Sequence, residues 1–158
     1  MKDYGLFYKE NKEQLYAYLL RMTGERQLAL DLVQESFVRY LGRYGRREYN
    51  KALLYTIGRN AALDAFRRQS AVGFDPENYQ DFGADPEQRI IDREKFNQTM
   101  SAIDKLAPLD RELISLVTTT DLTYHEIGRV LKISEASVKV RIHRARTKLR
   151  EMLASGGD

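Results

Sequence analysis

Two helix-forming stretches joined by three residues, the second with opposite chemistry on its two faces, close off most of the folds open to this chain. Thr123 to Leu131 leads through Lys132-Ile133-Ser134 into a stretch from Glu135 to Leu153. In that second stretch Val138, Ile142, Ala145, Leu149 and Leu153 recur at the spacing of one helical face. Lys139, His143, Arg146 and Arg150 recur one residue later, and Arg141, Arg144 and Lys148 widen that face. From Lys132 to Arg150 there are 7 basic residues against one acid, Glu135. Burying one side and presenting cations on the other suits a recognition helix in the DNA major groove, where Arg and Lys reach phosphates and guanine edges. The plainer alternative is a helical hairpin with a solvated cationic face, but this charge excess is more than solubility needs. Many such motifs carry Gly in the turn where this chain has Lys132. A left-handed Lys costs roughly 1 kcal/mol, which points to a turn of a different shape.

The rest of the chain also reads as helix. Leu6 to Met22 carries an apolar stripe (Leu15, Tyr18, Leu19, Met22) and stops at Thr23-Gly24, with Gly24 as a left-handed cap. Leu28 to Leu41 is apolar at Leu30, Val33, Phe37, Tyr40 and Leu41. Gly42 to Asn50 reads as an Arg- and Tyr-rich loop. Lys51 to Arg68 puts Leu54, Ile57, Ala61 and Ala65 on one side. Three helices with short connections make a small helical domain, residues 1–70. Residues 71–84 lack periodicity and hold Gly73, Pro76, Asn78 and Gly83, as a flexible linker does. Asp85-Pro86-Glu87-Gln88 opens a helix to about Leu106, and Pro108 opens another to about Val117. Thr123 and Glu126 form a capping box, and Ser134 caps the last helix. The fold class expected is all-α: two small helical domains, 1–70 and 85–158, joined by a flexible acidic linker, the second domain a helix-turn-helix.

Charge follows that division. Residues 1–70 hold 13 Lys and Arg against 8 Asp and Glu, residues 71–98 hold 3 against 7, and residues 99–158 hold 10 against 8. The layout suggests two polyanion-binding modules joined by a segment that is not one. There is no Cys, which excludes disulfides, thiolate zinc sites and a cysteine nucleophile, and fits a reducing cytoplasm. No run of about 18 apolar residues suggests a membrane span, and the start lacks the apolar core of a signal peptide. His125 and His143 are the only histidines, and both fall in the helix-turn-helix. No catalytic residues, metal site or cofactor are expected.

Two further clusters stand out. Asp31, Gln34 and Glu35 share a face of the second helix, with Leu30, Val33 and Phe37 on another. From spacing alone the polar exterior of a packed helix is the simpler reading; a docking face for a basic partner is the other. Tyr44, Arg46, Arg47 and Tyr49 crowd the loop, and Tyr55, Arg59, Asn60, Asp64, Phe66, Arg67 and Arg68 follow on the third helix. Aromatics can stack bases while Arg tracks the backbone, and Asn can pair with a base edge. Core tyrosines with Arg on the outside read equally well.

These segments, in this order, resemble the extracytoplasmic-function (ECF) group of bacterial RNA polymerase sigma factors over nearly the whole chain. Asp31-Leu-Val-Gln-Glu-Ser-Phe37 is similar to the family's core-binding helix, and Leu54 to Arg68 to its promoter-melting helix. Leu106 to Ile114, Leu122 to Gly128 and Ser137 to Arg150 resemble its second DNA-binding domain. The resemblance implies that Asp31, Gln34 and Glu35 contact a coiled coil of the beta-prime subunit, the core polymerase being met through its beta-prime and beta subunits. It implies that the loop Tyr44 to Asn50, with Asn60, captures a flipped base of the minus-ten element, Tyr55, Arg59 and Arg67 lying on the same helix. Lys139, Val140, His143 and Arg144 would face bases of the minus-thirty-five element, with Arg141 and Arg146 nearer phosphates. The acidic linker would thread the RNA path, and an anti-sigma protein would hold the factor inactive. Two positions depart from the family pattern: Leu53 stands where Trp is frequent, and Val140 where a small hydroxyl residue is common. Val140 can touch a thymine methyl but donates no hydrogen bond.

The expected function is thus a sigma factor, not an enzyme. A free-standing helix-turn-helix regulator of duplex operators would explain residues 99–158 but leave 31–37 and 44–68 unexplained. A nucleic-acid enzyme lacks a metal or nucleophile constellation.

Overall fold

The computed structural model describes the backbone of residues 3–45, 49–72 and 86–155, and their side chains outside 69–93 and 96. Seven helices lie among the described residues: α1 (Tyr4–Thr23), α2 (Arg26–Tyr44), α3 (Lys51–Val72), α4 (Pro86–Asp104), α5 (Pro108–Thr119), α6 (Tyr124–Leu131) and α7 (Glu135–Ser155). The expected linker and Asp85 lie largely outside the described residues.

α1 begins where the Asp3 carboxylate accepts the Leu6 N–H (2.7 Å) and ends at Gly24, φ 68. Phe7, Leu15, Tyr18 and Leu19 of α1 meet Leu32, Val33, Phe37 and Tyr40 of α2 in one core. The aromatic rings interlock there: Phe7 stacks on Tyr49 at 4.9 Å and meets Phe37 edge-on at 6.1 Å. Two buried polar side chains are tied back into their own helices. Asn11 donates to the Phe7 carbonyl (2.8 Å) and Ser36 to the Leu32 carbonyl (2.6 Å). α3 closes the three-helix layer with Leu54, Ile57, Ala61 and Ala65 buried, as their spacing predicts. It comes close because Gly58 has no side chain: a Cβ there would lie 3.1 Å from Leu15 and 3.3 Å from Ser36 Oγ.

Two details of this half differ from the expectation from sequence, and a third adds to it. Leu30, expected in the core, is 48% exposed, because the buried stripe of α2 runs through Ala29, Leu32, Val33 and Ser36. Gly42 lies inside the helix rather than in a loop, since Gly45 (φ 66) ends α2. Asn50 caps α3, its side-chain oxygen accepting the Leu53 N–H (3.2 Å) while its own N–H donates to Tyr40 Oη (2.9 Å).

In the second half, Leu113 and Leu116 of α5, Ile127, Val130 and Leu131 of α6, and Val138 and Ile142 of α7 are buried together. Ile103 and Leu106 join Ile114 and Ala145 in a smaller cluster where α4 and α5 meet α7. The capping box is present in both directions: Glu126 N–H to Thr123 Oγ1 (3.1 Å), and Thr123 N–H to Glu126 Oε1 (2.9 Å). The turn corrects the expectation for Lys132. It is left-handed (φ 60, ψ 43), so the turn keeps the usual shape despite its residue. Gly128 makes this possible: a Cβ there would stand 2.6 Å from the Ile133 carbonyl oxygen, and the Ile133 N–H donates to the Gly128 carbonyl (2.9 Å). With the chain pinned on both sides and its side chain in solvent, Lys132 bears the left-handed strain.

The two halves also touch each other, which no spacing rule could foresee. α1 packs on α5 and α3 on α6, and one continuous cluster of buried side chains runs through both halves.

Candidate nucleic-acid interface

The cationic face of α7 is set by its buried one. Ser134 Oγ accepts the Ser137 N–H (3.1 Å) and fixes where the helix starts. With Val138, Ile142 and Ala145 turned inward, Lys139, Val140, His143, Arg144 and Arg146 are all exposed. Val140 is 48% exposed, a large apolar group among cations. Arg141 is half-buried and lies 3.4 Å from the Asp110 carboxylate of α5, while Lys139 stands 3.8 Å from Glu135. Asp110, Ser137, Val140, Arg141 and Arg144 line a cleft of about 430 Å³. Such a face can lie along a phosphate backbone while its first turns reach into a groove.

α3 is different. Asn60 is exposed and Arg67 is 77% exposed, 3.5 Å from Asp64. Tyr55, expected on the DNA side, is instead fully buried against Tyr18, ring centroids 5.7 Å apart. It occupies the inward face that Leu54, Ala61 and Ala62 share, so it cannot stack a base in this arrangement. Tyr44 and Tyr49 are half-buried, one against Tyr40 (5.2 Å) and the other stacked on Phe7. The aromatic half of the expected stacking surface is thus largely core, the alternative that spacing left open. Arg46 and Arg47 lie outside the described residues. Arg59 is committed elsewhere: Nε and Nη2 donate to the two Glu112 carboxylate oxygens of α5 at 2.7 and 3.1 Å. Burial disfavours its charge, but that hydrogen bond and the nearby carboxylate outweigh it and hold its pKa above the ordinary value.

α2 presents a third surface. Asp31 and Gln34 are exposed and Glu35 is half-buried. Asp31 accepts from Gln27 (2.9 Å), Gln34 donates to Tyr8 Oη (2.9 Å), and Glu35 pairs with Arg39 (2.6 Å). Leu30 and Val38, four residues to either side of Gln34, are 48% and 70% exposed, so the polar group is flanked by apolar ones. The sequence reading missed Val38; its exposure depends on which stripe of α2 is buried.

Comparison with known proteins matches both halves of the chain to one family. The family model for sigma-70 region 2 matches residues 7–72, and that for sigma-70 region 4 matches residues 102–151. The ECF RNA polymerase sigma factor SigW of Bacillus subtilis is 30% identical over 162 residues, covering 90% of this chain and 84% of its own. The chain belongs to the ECF sigma factors of RNA polymerase. The ECF sigma factor SigE of Mycolicibacterium smegmatis is also 30% identical, over 98% of this chain, which spans 63% of that relative's length. Two solved structures share the sigma factor's fold. CnrH in complex with the cytosolic domain of CnrY has a TM-score of 0.69 at 22% identity, covering 96% of this chain and 88% of the other. RpoE of Bartonella quintana, in complex with the anti-sigma factor NepR, has a TM-score of 0.62 at 21% identity, covering 94% and 92%. As a sigma factor the chain acts in promoter-directed transcription initiation, with core RNA polymerase and promoter DNA as its partners. No helix among the described residues is long and apolar enough to cross a membrane, and no group of three or more potential metal ligands gathers there.

Proposed function

We propose that this sigma factor divides its work among three helices. α2 docks on the beta-prime subunit of core polymerase through Asp31, Gln34 and Glu35. The segment from Tyr44 to Asn50, with Arg46, Arg47 and Tyr49, leads into Arg59, Asn60 and Arg67 of α3 at the minus-ten element. α7 reads the minus-thirty-five element, with Lys139, Val140, His143 and Arg144 at base edges and Arg141 and Arg146 at phosphates. The segments 1–70 and 85–158 are the two functional modules, and the acidic segment 71–84 threads the RNA path between them. The chain supplies specificity and the polymerase supplies the chemistry, so the sigma factor itself has no catalytic residue, metal or cofactor and works in the cytoplasm.

The observation that carries this reading is the sorting of charge on exposed faces: acidic and amide groups on α2, cations on α7. An anti-sigma protein is a further expected partner, because both structural neighbours named above were solved with a protein bound, one of them an anti-sigma factor.

The test is binding of the full chain, without DNA, to purified core polymerase, beside Asp31→Ala/Gln34→Ala/Glu35→Ala. Tight binding that the triple change abolishes, with the melting temperature unchanged, is expected. Equal binding by both chains would overturn the assignment of α2.

A further inference from the structure

An acidic residue of α5, Asp110, stands beside the cationic face of α7. It lies in the first turn of α5, which Pro108 opens and where the cap residue Ala107 offers no side chain to the free N–H groups. A carboxylate is favoured at such a helix start. The core fixes the helix itself, since Leu113 and Leu116 are buried together with Val138 and Ile142 of α7. Asp110 is therefore a carboxylate on a rigid mount. Arg141 Nη1 lies 3.4 Å from Asp110 Oδ1, with 42% of the Arg141 side chain and 24% of the Asp110 side chain exposed. Lys139, by contrast, pairs within its own helix, 3.8 Å from Glu135. Around the Arg141–Asp110 pair the cleft between α5 and α7 is lined by Ser137, Val140 and Arg144. Ser137, Arg141 and Arg144 fall four and three residues apart, along one edge of α7. Asp110 thus stands at the border of the face assigned to the minus-thirty-five element.

By charge alone Asp110 is in the wrong place. A carboxylate beside a surface that receives phosphates repels them and weakens binding to any duplex. The pair is partly open to water and contributes little to folding. Its effect is to limit Arg141. A long side chain left free follows any phosphate within reach. Held at one end, its remaining donors keep one direction, and its rotamer freedom is lost on folding instead of on binding. Phosphate contacts set where a protein sits on the duplex, and base contacts then read what lies there. We propose that Asp110 is a specificity-determining residue that touches no base. By fixing Arg141 against α5 it fixes one phosphate contact, and with it the register at which Val140, His143 and Arg144 meet base edges. Asp110 is a positioning residue, and it exchanges overall affinity for choice between sequences. This role rests on the reading of α7 given above.

The full chain, assembled with core polymerase, is offered a pool of random-sequence duplexes, and the retained duplexes are sequenced. The parent is expected to enrich a minus-ten and a minus-thirty-five element. Asp110→Asn keeps the size of the side chain and should enrich the same minus-ten element beside a blurred minus-thirty-five element. Discrimination at neighbouring base pairs of the latter should drop by about threefold to tenfold. The variant should also hold duplexes that lack both elements up to higher salt, because one anion fewer faces the phosphates. Asp110→Glu should restore the sharp element. In an Arg141→Gln chain, already blurred, Asp110→Asn should blur nothing further. A minus-thirty-five element as sharp in Asp110→Asn as in the parent would overturn the role of Asp110. Further blurring in the Arg141→Gln background would overturn the route through Arg141. Equal blurring of both elements with a lowered melting temperature would reduce Asp110 to a helix-start residue and overturn it too. A parent that enriches no minus-thirty-five element would refute the assignment of α7 itself, an outcome told from the others by the parent alone.

Discussion

Lys132 carries the left-handed turn of the helix-turn-helix (φ 60) with a side chain that contributes nothing to it. Replacing it by Gly removes about 1–2 kcal/mol of strain and returns about 0.5–1 kcal/mol of backbone entropy to the unfolded chain. Lys132→Gly is therefore expected to stabilise by roughly 0.5 kcal/mol, read as a shifted urea midpoint at constant slope. Gly128→Ala should do the opposite. Its Cβ meets backbone rather than a flexible side chain, so α6 must move from the turn, at a cost of about 2 kcal/mol or more. A Gly128→Ala chain that melts with the parent would refute the close approach. The sequence carried the cost of a left-handed Lys but not its presence, because strain at one residue is decided by neighbours that pin the chain. Tyr55 was illegible for a related reason. An aromatic beside Arg and Asn has the same spelling whether it stacks on a base or on Tyr18, and only the rotation of α3 against α1 decides.

Helices were the most legible level. Gly24, the Thr123–Glu126 capping box, Pro108 and Ser134 mark ends where local chemistry alone fixes the backbone. The buried stripe of α2 is less legible: Ala29 and Ser36 lie inside it and Leu30 outside, because close helix packing favours small residues that spacing cannot tell from surface ones. The same ambiguity conceals the exposed apolar flank of the proposed docking face. Val38, 70% exposed, is expected to act as an interfacial anchor. Val38→Asp should weaken binding to core polymerase at least tenfold and leave the melting temperature within a degree or so, since a solvent-exposed site contributes little to folding. On α7 the prediction concerns salt. If Arg146 meets a phosphate, Arg146→Ala lowers the slope of log affinity for duplex promoter DNA against log salt by about one. If Arg144 reads a base edge, Arg144→Ala relaxes preference at one base pair of the minus-thirty-five element, with a discrimination loss of about 1–3 kcal/mol there.

At the scale of the molecule, the seam where α1 and α3 meet α5 and α6 ties stability to alkali. Burial, with Glu112 beside Tyr18 and Asp121 beside Tyr55, pushes both phenols well above the ordinary 10.0. A raised folded-state pKa means the folded chain keeps protons that the unfolded chain releases. Stability from these groups is complete below about pH 10 and falls as pH rises above it. Thermal melts from pH 8 to 11 should show that decline, and Tyr18→Phe/Tyr55→Phe should flatten it; an equally steep decline in the double variant would locate the titration elsewhere. Nothing in the sequence could reveal the seam, because Arg59 and Glu112 are 53 residues apart, and Lys51 and Asp121 are 70 apart. Charge counts placed both halves near the same sign, which reads as mutual repulsion until individual partners are known. The seam has one more consequence. The chain has ten Tyr and no Trp, so its near-ultraviolet emission is tyrosine emission alone. Tyr18 and Tyr55 are fully buried and feel the carboxylates of Glu112 and Asp121 from the other half, so a change at the seam is expected to alter their emission, which gives the unlabelled protein a built-in optical gauge of that contact.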